Sequence, residues 1–177
     1  PKSFALSEEA RQLKSQHKVK IIVIGSSTGG PIVLRQILSS LPGNFPLPII
    51  CVQHIAEDFL PGLVNWLDHD SQLSIQIAQN GLKPKSGNVY FAPDKQDLLI
   101  GADHRLHLQA PTTEFINVPS VDITFSSMAK YMSNHVLAIL LTGMGSDGAR
   151  GLCDLADAGN LTIAQDKASC VIFGMPK

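Results

Sequence analysis

Short β-branched apolar runs alternate with helically spaced apolar positions along most of the chain. Ile21-Ile22-Val23-Ile24 is unalternating, the pattern of a strand covered on both faces, and Gly25 stops it. After the loop Ser26 to Gly30, positions Ile32, Val33, Ile37, Leu38 and Leu41 recur at helical spacing, with Pro31 suited to the first turn. Pro42-Gly43-Asn44 breaks that helix, and Leu47 to Val52 supplies a second apolar strand. Leu60, Leu63, Val64 and Leu67 predict another helix, with Phe59 and Trp66 expected in the core beside Leu63. Leu73 to Ala78 reads as a third strand. Such a βαβαβ order is the signature of a parallel sheet with helices on its faces.

The middle of the chain changes character. Asn88 to Ala92, Leu98 to Ile100 and Leu106 to Leu108 are short runs separated by Pro93-Asp94 and Gly101-Ala102-Asp103, which predicts a small antiparallel excursion. From Ser120 the alternation resumes: a helix through Ile123, Phe125, Met128, Ala129 and Met132, a strand from Val136 to Leu141, a helix after Gly148 and a strand from Leu161 to Ala164. The expected fold class is α/β: a doubly wound, mostly parallel sheet flanked by helices, Rossmann-like, with one antiparallel hairpin. Residues 1–19 carry good helix formers at Ser7 to Gln16 but too few apolar positions to bury a face. They read as a linker helix or disordered lead to a single domain over 20–177.

Composition narrows the function. The 177 residues allow one domain at about 150 residues per domain. A hydrophobic share of 44% with 16% charged residues excludes disorder as the main state. The net charge of −1 provides no global field for a polyanion, so no nucleic-acid partner is expected. Apolar stretches such as Val136 to Leu141 fall far short of the ~20 residues of a membrane span. Cys51, Cys153 and Cys170 are an odd count without CxxC spacing, and the polar start offers no export signal, so a reduced, cytoplasmic chain is expected. The first residue is Pro rather than Met, which suggests a segment of a longer protein.

In such a sheet ligands bind at the carboxyl ends of the strands. Three of those ends carry reactive side chains: Gly25-Ser26-Ser27-Thr28-Gly29-Gly30, Gln53-His54, and Thr142-Gly143-Met144-Gly145-Ser146-Asp147-Gly148. The first matches G-x-S-x-G between a strand and a helix, the context of a nucleophile elbow with Ser27 at its tip. A serine hydroxyl needs a base to take its proton and a carboxylate to orient that base; His54 and Asp147 are the candidates. The following helix offers N-terminal backbone donors, with Thr28 or Gly29 supplying one to an oxyanion. Each part has a plainer reading: the loop as a phosphate or nucleotide cradle, His54 as a packed or capping residue, Asp147 as a helix cap. A dinucleotide loop fits less well, since Gln53-His54 stands where an acidic residue should end the second strand. His104 and His107 beside Asp103 lack a third ligand and read as solvated rather than as a metal site, and Cys51 reads as core.

Taken together, five segments resemble the catalytic domain of the bacterial chemotaxis protein-glutamate methylesterases, CheB. They are Ile24 to Gly30, Gln53-His54, Pro119-Ser120-Val121-Asp122, Leu141 to Gly148 and Ala168 to Pro176, in the same order over Lys20 to Lys177. The resemblance implies a serine hydrolase that removes methyl esters from receptor glutamates, releasing methanol, with receptor glutamine deamidation as a second activity. It implies Ser27 as nucleophile, His54 as base, Asp147 as its partner, and backbone oxyanion donors at Thr28 and Met144, with no metal or organic cofactor. Its implied partners are methylated cytoplasmic receptor helices and an N-terminal phosphorylatable receiver domain. The chain departs from the family in having Asn117-Val118 where His-Arg is common, which removes a basic contact near the substrate. It also stops before the family's last helix and strand.

Overall fold

The computed structural model describes residues 18–111 and 117–177. The lead expected over the first residues lies almost wholly outside them. Among the described residues, eight strands and four helices follow one another as β1 (Ile21–Ser26), α1 (Gly30–Ser39), β2 (Ile49–Gln53), α2 (Leu60–Asp70), β3 (Ser74–Ile77), β4 (Asn88–Phe91), β5 (Asp97–Ile100), β6 (Leu106–Gln109), α3 (Val121–Tyr131), β7 (Val136–Leu140), α4 (Ala149–Asp157) and β8 (Leu161–Ala164). Six strands form one sheet in the order β3-β4-β2-β1-β7-β8, and every pairing in it is parallel. β5 and β6 form a separate antiparallel pair.

β1 shows why its sequence does not alternate. Ile21 and Val23 pack on one face of the sheet with Phe125, Met128, Leu155 and the hairpin residues Leu98, Ile100 and Leu106. Ile22 and Ile24 pack on the other with Leu34 and Leu38 of α1 and Leu60, Leu63, Val64 and Leu67 of α2. Successive side chains of a strand point to opposite faces, so a strand covered twice must be apolar throughout. Each fully buried Leu, Ile or Phe contributes about 1.5–3 kcal/mol of burial, and Phe91, Phe125, Ile24 and Leu34 are among the largest here.

Three expectations are corrected. Asn88–Phe91 is not part of the antiparallel excursion but a parallel strand lying between β2 and β3. Phe59 is 67% exposed and Trp66 39% exposed, so neither is a core residue. The buried stripe of α2 takes Leu60, Leu63, Val64 and Leu67, at i, i+3, i+4 and i+7. Phe59 and Trp66, seven positions apart, fall together on one flank of it, and Trp66 instead lies 5.3 Å under the Arg35 guanidinium.

The chain builds outward from β1 to β2 and then to β3 and β4, and returns to the other side of β1 with β7 and β8. That reversal leaves a crevice at the carboxyl ends of β1, β2 and β7, the place where open α/β sheets bind ligands.

Candidate active site

Ser26 is the last residue of β1, and the turn after it carries Ser27 at its tip. The turn is tight because Gly29 takes φ +84 as the N-cap of α1 and Gly30 packs where a Cβ would lie 2.3 Å from Gln53 Oε1. Ser27 is held by its backbone: its N–H donates to Thr142 O at 3.0 Å, and its carbonyl accepts from Gly30 N–H at 2.8 Å. Its hydroxyl makes no hydrogen bond among the described residues.

His54 follows β2, its N–H donating to Ser26 O at 2.9 Å. Its Nε2 lies 2.8 Å from Asp147 Oδ2, with side-chain exposures of 14% and 7%. When Nε2 carries the proton that this carboxylate accepts, Nδ1 is the basic nitrogen. Asp147 also accepts from Val121 N–H at 2.8 Å, Asp122 N–H at 2.9 Å and Ser120 Oγ at 3.0 Å. It thus sits at the N-terminus of α3, where exposed backbone N–H groups favour a negative charge. Burial alone would push its pKa up, but the hydrogen bonds from His54, Asp122 and Val121 outweigh that and hold it below the usual carboxylate range. The plainer reading of Asp147 as a cap on the next helix is set aside: α4 is capped by Gly148 without a side-chain bond, and Asp147 serves α3 across the crevice.

The structure therefore brings His54 and Asp147 into contact and sets Ser27 on the neighbouring loop, without a direct hydrogen bond from Ser27 Oγ to His54. The backbone of Gly143 runs against the serine, since a Cβ on it would meet Ser27 Cβ at 2.8 Å. Next to it, the N–H groups of Met144 and of Thr28 have no acceptor among the described residues, and Met144 is 72% exposed. His107 pairs with Asp103 at 2.9 Å in the exposed hairpin turn. No group of three or more metal-ligating side chains occurs among the described residues. Cys51 is buried, which pushes its thiol far above the ordinary range and leaves it unreactive.

Sequence reasoning missed the residues that fix these loops. Gln53 is 3% exposed. Its Nε2 donates to Ser27 O at 2.9 Å and to His54 O at 2.8 Å, while Oε1 accepts from Ser26 Oγ at 2.7 Å. Thr142 Oγ1 donates toward Thr28 O at 2.9 Å and accepts from Ile172 N–H at 3.0 Å, tying the serine turn to the last segment. That segment returns across the Gly143 loop, with Gly174 N–H at 3.1 Å and Met175 N–H at 3.0 Å from Gly143 O. A buried polar residue at a strand end was the available signal for Gln53 and Thr142.

The sequence pattern of the family described as CheB methylesterase matches residues 22–177. Protein-glutamate methylesterase/protein-glutamine glutaminase 1 of Bordetella avium is 38% identical over 176 residues, covering 99% of this chain and 52% of that protein. Protein-glutamate methylesterase/protein-glutamine glutaminase 4 of Geobacter metallireducens is 45% identical over 160 residues, 90% of this chain and 46% of that protein. The chain thus spans about half the length of the curated relatives it matches. The crystal structure of the Thermotoga maritima CheB methylesterase catalytic domain superposes with a TM-score of 0.83 at 41% identity, covering 89% of this chain and 85% of that one.

Proposed function

Since the chain belongs to the CheB methylesterase family, we propose that it is a serine hydrolase acting on γ-methyl esters of chemoreceptor glutamates, with receptor glutamine deamidation as a second activity. The observation that carries this reading is the His54–Asp147 hydrogen bond of 2.8 Å, half-buried beside a serine whose hydroxyl has no partner among the described residues. Ser27 Oγ attacks the ester carbonyl as His54 Nδ1 takes its proton. Asp147 holds the imidazole in the required tautomer and stabilises the imidazolium. The free N–H groups of Thr28 and Met144 are the donors for the tetrahedral oxyanion. His54 then returns the proton to the departing methoxy group, methanol leaves, and water hydrolyses the acyl-enzyme with His54 again as base. Deamidation follows the same steps with ammonia as the leaving group.

The remaining half of the relatives' length leaves room for the receiver domain that the resemblance implies, and the substrate is a receptor helix on the cytoplasmic side. No helix among the described residues is long and apolar enough to cross a membrane, which accords with a domain that meets such receptors from solution. With Asn117-Val118 at the substrate side, attraction to an acidic receptor helix must come from other positions.

Methanol release from a methylated receptor tests the reading. Ser27→Ala is expected to lower kcat on the order of 10³-fold or more, while Ser26→Ala, which loses only the bond to Gln53, retains much of the activity. The reverse pattern would reject Ser27 as nucleophile. A Ser27→Ala protein that folds and keeps full turnover would reject serine catalysis altogether.

A further inference from the structure

Behind the His54–Asp147 pair stands a second carboxyl group. Asp97 opens β5 and is wholly buried. Its Oδ1 accepts from Ser120 N–H at 2.8 Å, and its Oδ2 meets no donor among the described residues. Ser120 is itself wholly buried and donates its hydroxyl to Asp147 Oδ1 at 3.0 Å. One serine thus joins two carboxyl groups, its backbone to Asp97 and its side chain to Asp147.

The two groups are supplied unequally. Among the described residues Asp147 receives four hydrogen bonds, one of them from His54, whereas Asp97 receives one. Where two carboxyl groups share a desolvated network, the better supplied one holds the charge and the other keeps the proton. Burial pushes Asp97 up, the Ser120 N–H pulls it partly back, and the charge on Asp147 pushes it up again.

No neighbouring element supplies a compensating cation to Asp97 among the groups described. β6 sets the neutral Gln109 opposite it. α3 turns Ser120 and Thr124 toward β5; its own Asp122 accepts from Gly151 N–H, and its Lys130 lies over Tyr131 at the far end. Arg105, in the hairpin turn, donates to Gly81 O, and His107 of β6 pairs with Asp103.

Resting on the serine-hydrolase reading above, we propose that Asp97 is a positioning residue of the reaction. It anchors Ser120, and through Ser120 the carboxylate of Asp147, while the Asp97–Asp147 pair holds one negative charge rather than two. A second charge there would stabilise the imidazolium of His54 and leave less of the free base that Ser27 needs.

Three measurements test this. Asp97→Ala removes the anchor and is expected to lower kcat on the order of tenfold to a hundredfold with KM little changed, and Asp97→Asn, which keeps an oxygen for Ser120 N–H, restores most of the loss. The acid limb of the kcat/KM profile stays in place in Asp97→Asn. A downward shift of that limb would mean that wild-type Asp97 is ionised and would overturn the single-charge pair. Infrared difference spectra of wild type against Asp97→Asn at neutral pH should contain a protonated-carboxyl carbonyl band, and its absence would overturn the same point without reference to activity. Full activity in a folded Asp97→Ala protein would overturn the positioning role. Ser27→Ala is the control that separates the two readings: if it remains active, serine catalysis fails, while the infrared result for Asp97 still stands.

Discussion

One side-chain amide links the two loops that bear Ser27 and His54. Gln53 Nε2 donates to the carbonyls of both residues while its Oε1 accepts from Ser26 Oγ, so both amide hydrogens are spent on the site's backbone. Gln53→Glu keeps the shape but turns the donor into an acceptor facing two carbonyl oxygens. Leaving such buried groups unsatisfied costs about 1–3 kcal/mol of stability or more. Displacement of the serine and imidazole is expected to lower kcat on the order of tenfold to a hundredfold, with KM little moved. Steady-state kinetics beside a melting curve checks this, and an unaltered kcat would show that the loops hold their geometry without Gln53. The convergence of the loops bearing Ser27, His54 and Asp147 was legible in the sequence because each follows a strand end. Gln53, Ser120 and Asp97 were not: their roles depend on side-chain partners such as Asp97 for Ser120, 23 positions away in the chain. Ser120 stood out as a motif residue, yet nothing in its own segment names Asp97 as its acceptor.

The β5–β6 hairpin lies outside the main sheet, and the polar stripe it shares with α3 explains its use. Ser120, Thr124 and Ser127 fall on one face of that helix at i, i+4 and i+7, and each bonds to the hairpin: Ser120 N–H to Asp97 Oδ1, Thr124 Oγ1 to Leu98 O at 2.7 Å, and Ile100 N–H to Ser127 Oγ at 3.1 Å. The helix is fixed along its length, and its N-terminus is what holds Asp147. Thr124→Val keeps the volume of a fully buried side chain but leaves Leu98 O without that donor. It is expected to destabilise the chain by about 1–3 kcal/mol, read as a lower urea midpoint with an unchanged slope. A midpoint equal to wild type would mean that water replaces the hydroxyl. Hydrophobic spacing does not reveal such a stripe, because serine and threonine inside a helical pattern read as its solvent face. For a related reason β4 was misplaced: Asn88–Phe91 sits among turn residues, while its partners are Ile49 to Cys51 and Ser74 to Ile77. Local sequence identifies a strand without saying which neighbours it takes.

Over the whole molecule, two carboxyl groups pull stability in opposite directions with pH. Asp147 has a folded-state pKa below the ordinary value, so its contribution is fully present above about pH 3.9 and is lost as pH falls through the folded pKa. Asp97 has a folded-state pKa above the ordinary value. The unfolded chain then releases that proton first, and stability declines as pH rises from the unfolded pKa toward the folded one, after which the loss is constant. The two effects meet at the ordinary carboxylate pKa of about 3.9, with the Asp147 contribution lost below it and the Asp97 contribution lost above it. Asp97→Asn removes only the second effect. Below the ordinary carboxylate pKa both proteins hold a neutral group at this position, and their difference in unfolding free energy should be independent of pH. Above it the variant should gain on the wild type steadily until Asp97 ionises in the folded protein, and then hold that gain. Chemical denaturation of both proteins across a pH series reads the difference directly. A difference that does not change with pH would place Asp97 at its ordinary pKa in the folded chain and return both carboxyl groups of the Ser120 network to the ionised state at neutral pH.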